Sequence, residues 1–285
     1  MVSYKTRAYS ITLFILCTMC MSLVYVVWRE SDQGILRVVF LNVGQGDAIF
    51  IESPTHGQML IDSGPDNTVI RELGKVLPWY DRSIDVIMIT NPDKDHIAGF
   101  IPVLRRYDVQ KVIRPDTLND TEINRAVGIS IDKEGVQNII AKRGQIIDLG
   151  GGALVYILFP DRGVDGLDSN TGSIIAKLVY GNTSVMLTGD APNNALEYIT
   201  WLDGDLLESS VLKAGHHGSR TSASEIFIKA VRPQYAVISA GKNNSYKHPH
   251  KETLDLFAQE KIPVLGTYDH GTITMESDGE KVWFK

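Results

Sequence analysis

Residues 84–99 read IDVIMITNPDKDHIAG. The first seven are an almost continuous apolar run, the pattern of a strand buried on both faces. Directly after its C-terminal end come Asn91, Asp93, Lys94, Asp95 and His96. The arrangement recurs three times. Met186-Leu187-Thr188 runs into Gly189-Asp190, and Val211-Leu212 into Lys213-Ala214-Gly215-His216-His217-Gly218-Ser219. Val237-Ile238-Ser239 runs into Ala240-Gly241 and on to Tyr246-Lys247-His248-Pro249. Four strand ends that deliver carboxylate and imidazole to one edge are how a rigid scaffold builds a metal site on loops. Alternate residues of an extended loop point the same way, so Asp93 can face one centre while Asp95 and His96 flank a second. Each motif alone has a plainer reading. Acidic loops are commonly just solvated, a His pair can cap a helix, and Asp190 can serve as N-cap of a helix starting at Ala191. Their joint order at successive strand ends is what points to a metal centre.

Outward from these motifs, short strands alternate with helices. Strands are expected at 35–41, 48–52, 59–62, 84–90, 153–159, 173–180, 184–188, 210–213, 235–239, 264–266 and 272–275. Helices are expected after Asn67, taken as a cap, and at 97–106, 191–202, 222–231 and 251–261. Residues 117–135 have weak periodicity and stay open as helix or loop. Two strand-rich halves with helices in each fit a sheet sandwich covered by helices on its outer faces, an α/β class. A doubly wound sheet fits less well, because strands 35–62 are joined by turns too short for crossover helices.

The chain has 285 residues, 44% hydrophobic and 22% charged, with two cysteines. That composition excludes collagen-like, low-complexity and disulfide-scaffold classes. Both cysteines, Cys17 and Cys20, fall within Ser10–Trp28, nineteen residues without a charge. At 1.5 Å per residue this run spans roughly 28 Å, close to a bilayer's hydrocarbon thickness. No small-residue cleavage site ends it. Residues 1–33 are therefore expected to be a cytoplasmic tip, a transmembrane signal anchor and a short linker. Residues 34–285 are expected to be a single domain outside the cytoplasm, since Lys5 and Arg7 precede the run. Lys5, Arg7 and Arg29 against Glu30 and Asp32 belong to the first segment, leaving 25 cationic and 32 acidic side chains, net −7, for the domain. A general electrostatic hold on nucleic acid wants the opposite balance, so a polyanionic substrate must meet local cations.

The set Phe40–Asp47, Leu60–Gly64, Asn91–Gly99, Leu187–Asp190, Leu212–Ser219 and Ser239–Pro249 resembles the metallo-β-lactamase superfamily. Within it, the set is similar to the extracellular hydrolase domain of ComEC-type DNA-uptake proteins. The resemblance runs through nearly all of residues 36–285 and implies an αββα sandwich with one or two divalent ions, Zn²⁺ or Mn²⁺, at one edge. Carried over by position, Asp95, His96 and His248 would ligate one metal, Asp93 the other, and Asp190 would bridge both. Asn170 and Ser173 match a segment that presents polar groups to the second metal. Lys213 and His216 would face substrate oxygens and stabilise developing charge. His217, Ser219 and Lys247 join the substrate-facing set, with Arg220 as a further candidate. Gln45 and Asp47 would lie close by, with Asp62 orienting a ligand.

One position departs from the pattern: the loop usually opens with His, and here that residue is Asn91. An amide oxygen is a poor zinc ligand but acceptable to harder ions. Either one metal suffices, or the site prefers manganese, or the domain has become a non-catalytic binding module. Asp95, Asp190, Lys213 and His216 are the expected catalytic set, and phosphodiester hydrolysis, a nuclease reaction on DNA outside the membrane, is the expected chemistry. With one expected span the chain would be a stand-alone, membrane-anchored relative that works beside a DNA-uptake channel. Two other classes stay open: hydrolysis of a lactam, lactone or cell-wall phosphodiester, and non-enzymatic binding of DNA or of a partner channel.

Overall fold

The computed structural model describes residues 4–29, 34–117 and 119–285, without the side chains of residues 4–6, 8 and 26–29. The chain divides into two units, residues 1–33 and 34–285. The first contains one helix, Tyr4–Arg29 (α1). Its described apolar side chains, among them Ile11, Phe14, Leu16 and Leu23, are exposed. Among the described residues no helix is long and apolar enough to cross a membrane. The expected span is thus not established by the structure; the side chains of Val26, Val27 and Trp28 of that span, and the linker residues 30–33, lie outside what is described.

The second unit is two stacked sheets. In chain order the strands of the first are Leu36–Phe40 (β1), Ile49–Glu52 (β2), Gln58–Ile61 (β3), Ser83–Met88 (β4), Asp108–Arg114 (β5) and Gln137–Ile140 (β6). Those of the second are Ile146–Asp148 (β7), Leu154–Phe159 (β8), Ile175–Tyr180 (β9), Thr183–Leu187 (β10), Val211–Lys213 (β11), Tyr235–Ile238 (β12) and Val264–Gly266 (β13). Ile273–Ser277 (β14) and Val282–Phe284 (β15) return to the first sheet, whose order is β15-β14-β1-β2-β3-β4-β5-β6; the second runs β13-β12-β11-β10-β9-β8-β7. Val38, Phe40, Ile51, Met59 and Met88 meet Val155, Leu178, Val185 and Val237 between the sheets.

Helices close both outer faces. Thr68–Val76 (α2), Lys94–Ile97 (α3), Phe100–Arg106 (α4) and Glu122–Glu134 (α5) serve the first half. There Val69, Leu73, Phe100, Val103, Val127 and Ile131 pack on Val39, Phe50, Leu60 and Ile87. Asn193–Asp203 (α6), Glu225–Val231 (α7) and Lys251–Gln259 (α8) cover the second, with Leu196, Ile199, Phe227, Val231 and Phe257 against Met186, Leu212 and Ile238. A short helix, Thr267–His270 (α9), follows β13. The result is the αββα sandwich that the alternation implied.

Several local expectations change. The segment 97–106 is two helices, because the chain turns at Ala98-Gly99: a Cβ on Gly99 would fall 2.1 Å from the Ser63 carbonyl oxygen. Asn67 makes no side-chain cap; the carboxylate of Asp66 instead accepts from Thr68 N–H at 2.7 Å. The open segment 117–135 is α5 from Glu122, capped by Thr121, which accepts from Asn124 N–H. β5, β6, β7 and β15 were not expected. Strands β4, β10, β11 and β12 all end at one edge, and the polar loops quoted above leave from it.

Candidate metal centre

The centre is built around His96, which is fully buried. Its Nδ1 lies 2.8 Å from Asp62 Oδ2, and Asp62 also accepts from Thr90 N–H (2.8 Å) and Thr90 Oγ1 (2.6 Å). The loop after β4 is thereby fastened to the end of β3, and the imidazole has one permitted orientation. Such a carboxylate behind a histidine fixes the tautomer that leaves the far nitrogen free for a metal. That far nitrogen, Nε2, lies 3.1 Å from Asp190 Oδ2. The pair makes no aligned hydrogen bond: His96 Nε2 and Asp190 Oδ1 are both buried without a partner.

Asp190 follows β10, and it does not cap the next helix, whose N-cap is Pro192. From the loop after β11 come two imidazoles. His216 Nε2 is 3.7 Å from Asp190 Oδ2, and His217 Nε2 donates to Asp95 Oδ2 at 3.3 Å. Both histidines sit at positive φ, 48° and 55°, a conformation that turns both side chains out of one short loop at a cost in backbone strain. His248 completes the ring from the loop after β12, its centroid 5.4 Å from that of His216 and 6.2 Å from that of His217. Its Nδ1 is also buried and unpartnered. Ligand atoms of Asp95, His96 and His217 all lie within 4.8 Å of one another. Asp47, Asp62 and His96 form a second such group; there Asp62 is occupied by Thr90 and His96 and Asp47 Oδ2 by Lys213, while Asp47 Oδ1 is buried without a hydrogen-bond partner.

Charge in this cluster is strongly coupled. Burial alone would raise the Asp190 pKa, yet His96, His217 and His216 hold it well below the usual carboxylate range. Burial likewise opposes a proton on His217, but Asp47 and Asp190 raise its pKa to about 9. His96 is raised against its burial by Asp190 and Asp62. For His248, burial and then the charges of His216, His217 and His250 lower the pKa to about 4. Metal binding at such a carboxylate–imidazole cluster releases protons. Carboxylate and imidazole donors, with buried atoms left without partners among them, fit a divalent ion.

The remaining expected ligands form a separate group. Asn91 Nδ2 donates to Asn170 Oδ1 at 2.8 Å and lies 3.4 Å from Ser173 Oγ, while Asn91 Oδ1 accepts from Asp93 N–H at 2.8 Å. The Asp93 carboxylate accepts from Asn119 Nδ2 (2.8 Å) and Ser169 Oγ (2.9 Å). These polar groups satisfy one another.

Lys213, expected to face substrate, is 1% exposed; its Nζ donates to Asp47 Oδ2 at 2.8 Å and to the Ala214 carbonyl at 3.0 Å. Burial opposes ionisation of Asp47, but Lys213 and His217 bring its pKa well below the usual range. Ser219 is buried and accepts from Thr221 N–H. Gln45 Oε1 accepts from Gly241 N–H at 3.1 Å, tying the loop after β1 to the loop after β12. Lys247 is exposed, and Arg220 faces Glu252 at 3.4 Å on the surface. Sequence reading had assigned His217 to substrate, whereas the structure sets it beside Asp95. Asn119 and Ser169 it missed altogether, since neither lies in a strand-end motif.

A four-layer sandwich with clustered histidines and aspartates at one edge defines a class. A family model of the metallo-beta-lactamase superfamily matches residues 41–242, and this chain belongs to that superfamily. It is similar to ComE operon protein 3 of Bacillus subtilis (strain 168), 30% identical over 275 residues covering 90% of this chain and 35% of that protein. It is also similar to Recombination protein 2 of Haemophilus influenzae, 28% identical over 255 residues covering 87% of this chain and 29% of that one. The chain thus spans about a third of the length of these curated relatives. Among solved structures, YhfI, a metallo-beta-lactamase fold protein from Bacillus subtilis, aligns with a TM-score of 0.54 at 14% identity, over 88% of this chain and 99% of that one. CmlA, a diiron beta-hydroxylase from Streptomyces venezuelae, aligns at 0.51 and 15% identity, over 80% and 52%. Those two likenesses concern the fold alone.

Proposed function

We propose that the chain is a metal-dependent phosphodiesterase, a nuclease in its sharper form, that works with one divalent ion. The carrying observation is the set of buried, unpartnered atoms, Asp190 Oδ1, His96 Nε2 and His248 Nδ1, at one strand edge. Asp95 and His217 complete the donor set, and Asp62 holds His96 in orientation. An ion held there would polarise a phosphoryl oxygen and lower the pKa of a bound water. The satisfied network of Asn91, Asp93, Asn170 and Ser169 supports one centre over two. Its neighbours have distinct tasks. His216, its side chain 28% exposed, is a partly exposed imidazole able to hold a phosphoryl oxygen or pass a proton from Nε2 to a leaving oxygen. Lys213 neutralises Asp47 inside the wall.

A part in DNA uptake is supported by the names of the curated relatives, among them Competence protein ComA of Neisseria gonorrhoeae. For the first unit we propose a membrane anchor with the sandwich outside the cytoplasm. It is supported by the charge-free run and by the exposed apolar side chains of α1. The test of the enzymatic reading is turnover of bis(p-nitrophenyl) phosphate by the metal-loaded chain. Asp190→Ala is expected to abolish it; a metal-loaded but inert wild-type protein overturns it.

A further inference from the structure

Away from the metal edge, the layer formed by α2 and α4 holds a cleft of about 750 Å³ lined by Asn67, Thr68, Arg71, Arg82, Arg105 and Arg106 together with Ile70 and Pro102. Four guanidinium groups share it, and no acidic residue lines it. Arg71 lies 3.2 Å from Glu72, a carboxylate it shares with Lys75. The side chains of Arg82, Arg105 and Arg106 have no ion pair or hydrogen bond among the described residues. On a domain of net charge −7 that concentration of unneutralised cations is a local feature in search of an anion.

Position narrows the anion. Asn67 follows Gly64 by three residues, and Gly64 N–H donates to the Asp47 carbonyl at 2.8 Å in the wall of the metal centre. Arg82 immediately precedes β4, and Arg106 lies two residues before β5; both strands run toward the metal edge. The cleft therefore runs along the helical layer between the Asn67 turn, which follows the β3 end of the wall, and the starts of β4 and β5 at the opposite strand ends. Three residues before Arg82 stands Trp79, 85% exposed, its ring 5.8 Å from that of Tyr80. Arginine forks match phosphate oxygens, and exposed aromatic rings stack on bases without regard to sequence. A concave, guanidinium-lined groove suits a strand laid along it more than a flat lipid surface.

We propose that this cleft holds the sugar–phosphate backbone of a single-stranded nucleic acid, with Trp79 stacking on a base. The proposal rests on the phosphodiesterase reading, for it supplies the strand whose diester reaches the metal centre. The test measures binding of a fluorescein-labelled 20-nucleotide single strand by anisotropy across a salt series. Full-length wild type is compared with Arg82→Ala/Arg105→Ala/Arg106→Ala, with its lysine-substituted counterpart and with Trp79→Ala. The triple alanine variant is expected to lose about tenfold or more in affinity at moderate salt, with a log–log salt slope shallower by about two. The lysine variant should keep most of the affinity, and Trp79→Ala should lose roughly fivefold. Bis(p-nitrophenyl) phosphate turnover should be unchanged in all of them, since none touches the metal centre. Equal oligonucleotide affinity and slope in wild type and the triple alanine variant would overturn the cleft while leaving the hydrolase intact. Loss of binding to phosphatidylglycerol vesicles with oligonucleotide binding unchanged would overturn it in favour of a lipid surface. Arginine-dependent oligonucleotide binding with no diester turnover in wild type would sustain the cleft and overturn the hydrolase reading.

Discussion

His96 Nε2 lies 3.1 Å from Asp190 Oδ2, yet Nε2 makes no aligned hydrogen bond. Two polar side chains buried within contact distance ordinarily satisfy each other. Here the imidazole is held from behind by Asp62 and cannot turn to do so. The geometry of the whole centre follows from that restraint.

Removing the restraint should weaken the centre without dismantling the fold. Asp62→Ala is expected to lower metal affinity roughly 10- to 100-fold. A competition titration with a chromophoric chelator reads this directly, with circular dichroism as the check that the sandwich persists.

The Asn91 network predicts an unequal response among the aspartates. Because Asn119 and Ser169 occupy the Asp93 carboxylate, Asp93→Ala should leave the bound metal at the wild-type stoichiometry. Asp95→Ala should lower affinity instead. Elemental analysis after dialysis compares the two. A drop of one ion per chain in Asp93→Ala would assign Asp93 to a second centre.

Lys213 offers a stability test. Lys213→Met removes the nearer of the two cationic partners of the buried Asp47 carboxylate, leaving only His217 at 3.5 Å, a change expected to cost up to about 3–5 kcal/mol. Urea denaturation should show this loss, and Asp47→Leu/Lys213→Met should recover most of it. If the single variant unfolds like wild type while turnover falls, Lys213 acts on substrate and not on the wall.

Gly99 tests how the metal loop is anchored. A Cβ there would meet the Ser63 carbonyl oxygen at 2.1 Å and the Asp66 carbonyl oxygen at 2.8 Å, both backbone atoms that cannot swing aside. Gly99→Ala is expected to destabilise the domain by about 1–3 kcal/mol. The melting temperature, taken with metal removed, separates this from a ligand effect.

The architecture was legible where side chains alternate or cluster strongly. β4 and β12 announced themselves as apolar runs, and the loops after them carried the polar residues. β5 did not, because Asp108, Gln110 and Lys111 are exposed, the last two on opposite faces of the strand, and blur its alternation. β6 is a sheet edge with no fully buried residue, and β7 and β15 have three residues each, too few for a period. Helix α5 hid because only Val127 and Ile131 of its thirteen residues are buried. At the site, residue types signalled a metal, but allocation did not follow from types alone. Lys213 and Asp47 are 166 residues apart in sequence, and nothing local in either says that one neutralises the other. Likewise His216 and His217 are chemically identical and both sit at positive φ; only the tertiary structure shows that His217 is buried beside Asp95 while His216 stays partly exposed.

The most direct measurement is metal stoichiometry: the full chain dialysed against Zn²⁺ and Mn²⁺ together, then analysed for both elements alongside His96→Ala and Asp190→Ala. The account predicts about one divalent ion per wild-type chain and a large loss in either variant. Two ions per wild-type chain, or none, would contradict it.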